Sequence, residues 1–377
     1  MITLLPQCSS PEASYLQQAE TLCRETLEPF LLEDEQKEYF RRSVFDNFKQ
    51  VGLTALLIPK VWGGLEQSPT LYYRLLTLLA RYSASFSITV GVHQMIQAAI
   101  LQFGSDSQKQ LFLKPLATGN ALGAFSLSES GSGSDASALK TTATLTPEGY
   151  RLNGTKLWCS NGSDADLFLV MARTGEAGPK GISAFIVLKN TAGFSIGKKE
   201  KKLGLKTSSL TELIFDQCLI PTNQLLGREG EGFKVALSQL DAGRIGIAAT
   251  ALGLAQEALE RVWSAGCKEQ FAFPIGLRSE WAAHYASLQA AHSLLLVAAR
   301  ERELGNPITT IASQCKLFIS DLAMRMTSDA VETAGYAGIQ PSFGLERLMR
   351  DAKALQIVEG TNQIQKLVLS RELEKQV

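Results

Sequence analysis

Apolar residues change their spacing twice along this chain, and each change forces a change of architecture. From about residue 12 to residue 118 they recur at helical intervals, as at Phe45, Phe48, Val51 and Leu53, then Leu75, Leu78 and Leu79. Loops are expected where Gly, Pro and capping residues cluster, at Pro59 to Gly64 and at Gly104, Ser105 and Asp106. Between about 121 and 220 the pattern is that of strands. Asn153-Gly154, inside the stretch Tyr150 to Trp158, carries the signal of a tight hairpin between short strands, and Phe168 to Met171 and Ile182 to Val187 are rich in branched and aromatic residues. From Gly232 helical spacing returns, broken at Phe273-Pro274, at Gly305-Asn306-Pro307 and between Gly338 and Gly344. Small residues from Ala248 to Ala255 let helices approach closely, as in a four-helix bundle. The expected class is α+β in three parts: a helical domain over 1–120, a β-barrel or sandwich over 121–225 and a four-helix bundle over 226–377. At 377 residues the chain exceeds what one hydrophobic core usually serves.

Lys plus Arg and Asp plus Glu are equal at 37 each, so no net field draws the chain to nucleic acid or an anionic membrane. No stretch is expected to cross a bilayer; the run Leu71 to Leu79 is interrupted by Tyr72, Tyr73 and Arg74 and reads as a buried helix. The six cysteines, Cys8, Cys23, Cys159, Cys218, Cys267 and Cys315, include no CxxC pair and no His at ligand spacing. They read as reduced thiols, and no metal is expected. Met1 to Ser14 has no basic n-region and contains Pro6, so it does not read as a signal peptide, and a cytoplasmic location is expected.

Four stretches can carry chemistry, and each also has an ordinary structural reading. Phe125 to Asp135 alternates Gly and Ser, which lets backbone N–H groups approach a ligand but equally makes a plain loop. Asn153 to Gly162 places Trp158 at a strand end, as a wall for a planar ring or as core. In Gln356 to Gln365 the apolar neighbours Ile357 and Val358 would partly bury Glu359 and raise its proton affinity toward that of a general base, whereas a lone Glu beside Gly is usually solvated. Asp241 and Arg244 share a helix face as ligand contacts or as a simple ion pair. For His93 and Gln94, a satisfied buried histidine is the commoner reading than a pocket wall.

The order and spacing of these stretches, with Gly181 to Val187, Leu226 to Phe233 and Leu345 to Ala352, resemble the acyl-CoA dehydrogenase flavoprotein family, most nearly its short-chain, butyryl-type branch. The likeness covers nearly the whole chain and is densest from about 121 to 371. It implies a helical domain, a central β-barrel and a four-helix bundle, assembled as a tetramer built from two dimers. FAD is the implied cofactor, with Phe125, Leu127, Ser128, Gly133, Ser134, Trp158, Cys159 and Ser160 against its ring and Thr361, Asn362 and Gln363 also in contact. Ser134, Asp241, Arg244 and Gly360 would face the acyl thioester, and Glu359 would be the catalytic base. A minority branch carries its base where this chain has Gly243, which has no side chain for the task.

The implied reaction is α,β-dehydrogenation of an acyl-CoA, with electrons passed to an electron-transfer flavoprotein. The thioester carbonyl would lie between the backbone N–H of Glu359 and a ribityl hydroxyl. Departures from the family pattern gather at its cross-subunit FAD contacts. Lys268 and Phe271 stand for the Arg and Phe at the start of the second bundle helix, Ser279 replaces a Gln, and Glu332, Gly335 and Tyr336 fall in the usual Gln-x-x-Gly-Gly segment. Lysine lacks the planar fork of arginine, and Glu332 adds negative charge near an anionic cofactor. These changes leave two further readings open: the same chemistry on an acyl group tethered to a carrier protein, or a flavin-binding scaffold without activity.

Overall fold

The computed structural model describes residues 10–375; Cys8 and the segment Met1 to Ser9 lie outside them. The amino-terminal part is helical: α1 (Ser10–Leu22), α2 (Leu31–Lys37), α3 (Arg42–Gln50), α4 (Pro69–Tyr82), α5 (Ala84–Phe103), and the short α6 (Asp106–Gln108) and α7 (Lys114–Ala117). Ser68 starts α4 by accepting the Leu71 N–H, with Pro69 pre-set at the first helical position, and Ser83 caps α5 through the Phe86 N–H. Ser105 and Gln108 form a reciprocal capping box on α6.

Helix α5 is a longer apolar stretch than the sequence reading expected. Its best 18-residue window has a mean hydropathy of 1.3, enough by length and composition to span a bilayer. That window is 78% buried within the protein, so its apolar character serves the core.

The middle of the chain forms one mixed sheet of eight strands: β1 (Gly123–Ser126), β2 (Thr142–Thr146), β3 (Gly149–Ser160), β4 (Leu167–Arg173), β5 (Ile182–Leu188), β6 (Phe194–Lys199), β7 (Leu210–Ile220) and β8 (Leu225–Leu226). The order is β6-β7-β3-β2-β4-β5-β8, with β1 parallel beside β4. Tyr150, Phe168, Phe185, Phe194 and Phe215 pack in its core.

Asn153-Gly154 is not a hairpin turn. The chain reverses two residues wide at Pro147-Glu148, between Thr146 and its partner Gly149, and Asn153-Gly154 lies inside β3. There the register against β7 slips between Leu152 and Gly154. Gly154 has φ +145°, and a Cβ on it would stand 2.6 Å from Thr141 Oγ1. A positive-φ glycine serves a bulge as well as a turn, so the dipeptide signal was genuine and its reading was not.

The carboxy-terminal part comprises α8 (Gly232–Cys267), α9 (Ile275–Glu303), α10 (Thr309–Ala334), α11 (Leu345–Leu355) and α12 (Asn362–Glu374). Helix α8 is the spine, buried from Arg244 through Gln256. It meets α4 so closely that a Cβ on Gly253 would lie 2.2 Å from the Thr77 carbonyl oxygen, which explains the run of small residues. Helices α4, α5 and α8 share one core with α10 and α11, and the site is built along that seam.

Candidate active site

The turn between α11 and α12 carries Glu359 and is anchored from below. Lys316, wholly buried on α10, donates to the Gln356 carbonyl at 3.0 Å and to Asn362 Oδ1 at 2.6 Å. Gln356 Nε2 and Asn362 Nδ2 both donate to Asp321 Oδ1 at 2.6 Å. Thr361 caps α12 by accepting the Ile364 N–H, and Gln365 Nε2 donates to the Gly360 carbonyl at 2.9 Å. So held, Glu359 adopts φ 56° and Gly360 φ 86°. A non-glycine residue in this left-handed region costs on the order of 1 kcal/mol and persists where surrounding contacts over-determine it.

The carboxylate of Glu359 fits against α8 because position 243 has no side chain: a Cβ there would lie 2.2 Å from Oε2. Oε2 is buried and has no hydrogen-bond partner. Burial raises the pKa to about 7, opposed by the positive charges of Arg244 and Lys316. The expected shielding by Ile357 is absent, since that side chain is 57% exposed. The burial comes from α8 and the cavity, across the chain rather than along it.

Lys316 was invisible to sequence reasoning because its partners meet it only through the fold. Lys316→Met should cost about 2–3 kcal/mol in a denaturant titration, since it removes a charged donor and leaves buried acceptors unpaired. Loss of its positive field should also move the Glu359 pKa upward, readable in the pH profile of turnover.

A cavity runs from Glu359 and Gly243 between α4, α5 and α8, past Tyr72, Gln94 and Arg302. His93 is not part of it. Its Nδ1 accepts the Gly123 N–H at 3.1 Å, so Nε2 carries the proton and donates to the Leu116 carbonyl at 3.1 Å. Burial pushes its pKa down to about 3. Asp241 and Arg244 form an ion pair at 2.7 Å, and Asp241 also accepts from Thr309 Oγ1 at 2.6 Å, tying α8 to α10.

On the sheet side, a bulge in β3 sets the wall. Register against β7 slips between Lys156 and Cys159, and Trp158 takes φ 57°, leaving its indole 48% exposed. The strand is pinned to the Gly/Ser loop by Leu157 N–H to the Ser128 carbonyl at 2.9 Å. Buried Lys156 donates to the Leu127 carbonyl at 3.0 Å and to Glu129 at 2.7 Å. Glu129 also accepts the backbone N–H groups of Lys140 and Thr141. Cys159 faces inward, with Sγ 3.5 Å from the Phe125 carbonyl, and burial pushes its thiol up to about 12, so it is not a nucleophile.

Gly133 brings bare backbone beside the indole, for a Cβ there would stand 3.7 Å from the Trp158 ring; Ser134 is exposed and Ser160 partly so. Ser132 Oγ is buried without a partner. A half-exposed flat ring, a side-chain-free backbone next to it and an unpaired hydroxyl fit a planar, hydrogen-bonding ring system such as a flavin. Thr361 and Gln363 open α12, with Gln363 exposed, whereas Asn362 is spent inside the Lys316 network.

The residues implied in cross-subunit contact sit elsewhere. Lys268 caps the end of α8 rather than starting α9, Phe271 packs edge-on against Phe273, and Ser279 Oγ donates to the Ile275 carbonyl at 2.9 Å. Glu332 and Gly335 close α10, followed by Tyr336, 77% exposed. Trp281 Nε1 donates to Thr333 Oγ1 at 3.1 Å, so both groups share one end of the bundle.

Comparison with known proteins accounts for all three regions. Family models match the acyl-CoA dehydrogenase N-terminal domain at residues 10–120, the middle domain at 124–218 and the C-terminal domain at 230–374. An acyl-CoA dehydrogenase of Bacillus subtilis is 42% identical, covering 90% of this chain and 91% of its own length. The solved butyryl-CoA dehydrogenase of Megasphaera elsdenii is 36% identical with a TM-score of 0.94, covering 98% of this chain and 99% of its own. A chain solved in work on the electron transferring flavoprotein of Acidaminococcus fermentans is 37% identical, also with a TM-score of 0.94, covering 97% of this chain and 98% of its own. The chain therefore belongs to the acyl-CoA dehydrogenase family, as an FAD-dependent oxidoreductase acting on the CH–CH group of acyl-CoA.

Proposed function

We propose that this enzyme dehydrogenates short acyl-CoA thioesters, with Glu359 removing the α-proton. The observation that carries the reading is Oε2 of Glu359, buried without a partner among the described residues, facing the cavity wall at Gly243 and held in a strained turn. Bound FAD supplies the acceptor for the β-hydride. The chain's own part is to hold Glu359 dry, so that the carboxylate binds a proton more tightly than one in water. Among the described residues, the backbone bonds that close the turn run from Ile357, Val358 and Asn362, and none uses the Glu359 N–H, which supports its role as donor to the thioester carbonyl. Trp158, Gly133 and the Ser132 hydroxyl would hold the flavin ring, with Thr361 and Gln363 nearby. The Asp241–Arg244 pair would orient the thioester, with Arg244 keeping the Glu359 pKa from rising further.

Transfer of electrons to an electron-transfer flavoprotein is supported by the likeness to the chain solved in work on such a protein. Self-association is supported by apolar side chains on the outer bundle face, where Phe318, Leu367 and Leu373 are 46%, 54% and 62% exposed.

The test is anaerobic titration of the FAD-loaded enzyme with butyryl-CoA and with butyryl on an acyl carrier protein. Bleaching by the CoA ester is expected; bleaching by the carrier ester alone would move the substrate to the tethered class, and none with any thioester would end the reading. A base with a pKa of about 7 must be ionised to act, so kcat/KM should rise with pH through an inflection near 7 and level off above it. A profile flat between pH 5 and 8 would remove Glu359 from the role.

A further inference from the structure

Several polar side chains along the cavity have partners within the protein. Ser87 Oγ donates to the Leu76 carbonyl at 3.0 Å and lies 2.8 Å from Thr250 Oγ1, which itself donates to the Gly246 carbonyl. Gln239 Nε2 donates to Ser238 Oγ at 3.0 Å, and Arg302 donates to Tyr73 Oη at 2.6 Å. Each of these is held by at least one partner within the protein. Gln94 is not: it lines the same cavity from α5, is 3% exposed, and both Nε2 and Oε1 are buried without a partner. Among the described residues, the one other cavity-lining side chain with a buried, unpartnered oxygen is Glu359.

An unpaired buried amide destabilises the empty protein, and a purely hydrocarbon acyl chain would leave it unpaired. Its two ends are one donor and one acceptor whichever way the amide is turned, so the complementary ligand group both donates and accepts. A hydroxyl does so; a methyl does neither, and a carboxylate only accepts. We propose that Gln94 is a specificity-determining residue that selects acyl thioesters bearing a hydroxyl on the chain beyond the reacting carbons. The inference rests on the dehydrogenation reading above and adds the chemistry of the acyl group.

The experiment compares kcat/KM of the FAD-loaded enzyme for 4-hydroxybutyryl-CoA against butyryl-CoA and for 5-hydroxypentanoyl-CoA against pentanoyl-CoA, in wild type and in Gln94→Leu. In wild type at least one hydroxylated ester should exceed its parent by about tenfold or more, because a site built to pair a hydroxyl discriminates against the analogue that lacks it. Gln94→Leu should lower that ratio by about 10- to 100-fold, the worth of a buried hydrogen-bonding pair lost. If butyryl-CoA is turned over but neither hydroxylated ester is preferred in wild type, the proposal fails while the dehydrogenation reading stands. Because that comparison needs no variant, poor folding of Gln94→Leu does not rescue it. A preference that survives in Gln94→Leu, or a stronger preference for a glutaryl ester, which would point to Arg302, also overturns it. If no thioester reacts, both readings fall together.

Discussion

Glu359→Gln is expected to purify with its flavin and to lose reduction of that flavin by acyl-CoA. The amide keeps the shape of the carboxylate but cannot take a proton, and removal of a positioned general base costs about 10²–10⁴ in rate. Stopped-flow bleaching under anaerobic conditions reads this directly, and turnover within threefold of wild type would refute the assignment. The same substitution should change stability in the opposite sense. A carboxyl whose folded pKa is about 7, against an ordinary 4.5, binds its proton more tightly when folded. Its contribution to stability therefore declines as pH rises between those two values, and the cost of burying the anion is fully present above about 7. Glu359→Gln should melt a few degrees higher than wild type at pH 8, with the gap closing toward pH 5. A base that weakens its own fold is the pattern expected of a site selected for reactivity.

The second large effect is expected from a single methyl group. Gly243→Ala would put a Cβ 2.2 Å from Glu359 Oε2 and 2.9 Å from its carboxyl carbon, so the carboxylate must move. Because the obstructed atoms end a side chain, the fold can yield without collapse, and alanine is the better residue inside a helix by roughly 0.5–1 kcal/mol. A stable protein with badly impaired chemistry should result. A displacement of about 1 Å in a reacting group can cost about 100-fold, so kcat should fall by that order while the melting temperature holds or rises. Unchanged kcat would mean that the carboxylate does not work from the position seen here.

Much of the architecture was legible because spacing encodes it. The strands Leu167–Arg173 and Ile182–Leu188 enclose the branched and aromatic runs that marked them, and the small residues of α8 lie where that helix presses on α4. Asn153-Gly154 misled because a positive-φ glycine is compatible with a turn or a bulge, and only the partner strand decides. Helix α5 shows the complementary ambiguity: burial inside a protein and inside a membrane ask for similar average hydropathy.

The acid at position 359 stood out in sequence, but the cause of its burial did not. Its neighbour Ile357 faces solvent, and the enclosing surface comes from Gly243 on a distant helix. Lys316 carried no signal at all, and Gln94, weighed with His93 as a pocket wall, lines the cavity without its neighbour; a charged or amide side chain within a helix becomes informative only once its partners, or their absence, are known.

The slip in β3 also has a meaning for how this wall can vary. Side chains alternate faces along a strand, so one supernumerary residue reverses the parity of everything beyond it. With the slip between Lys156 and Cys159, the thiol points to the interior and the indole is turned outward on a short, left-handed step. Deleting Leu157 would restore a regular ladder with the thiol still inward opposite Thr211, but it would remove the left-handed step that turns the indole and the Leu157 N–H bond to the Ser128 carbonyl. Length, more than residue identity, is what this segment has to conserve, and even a mild shortening should be less tolerated than replacement of the tryptophan by another flat side chain.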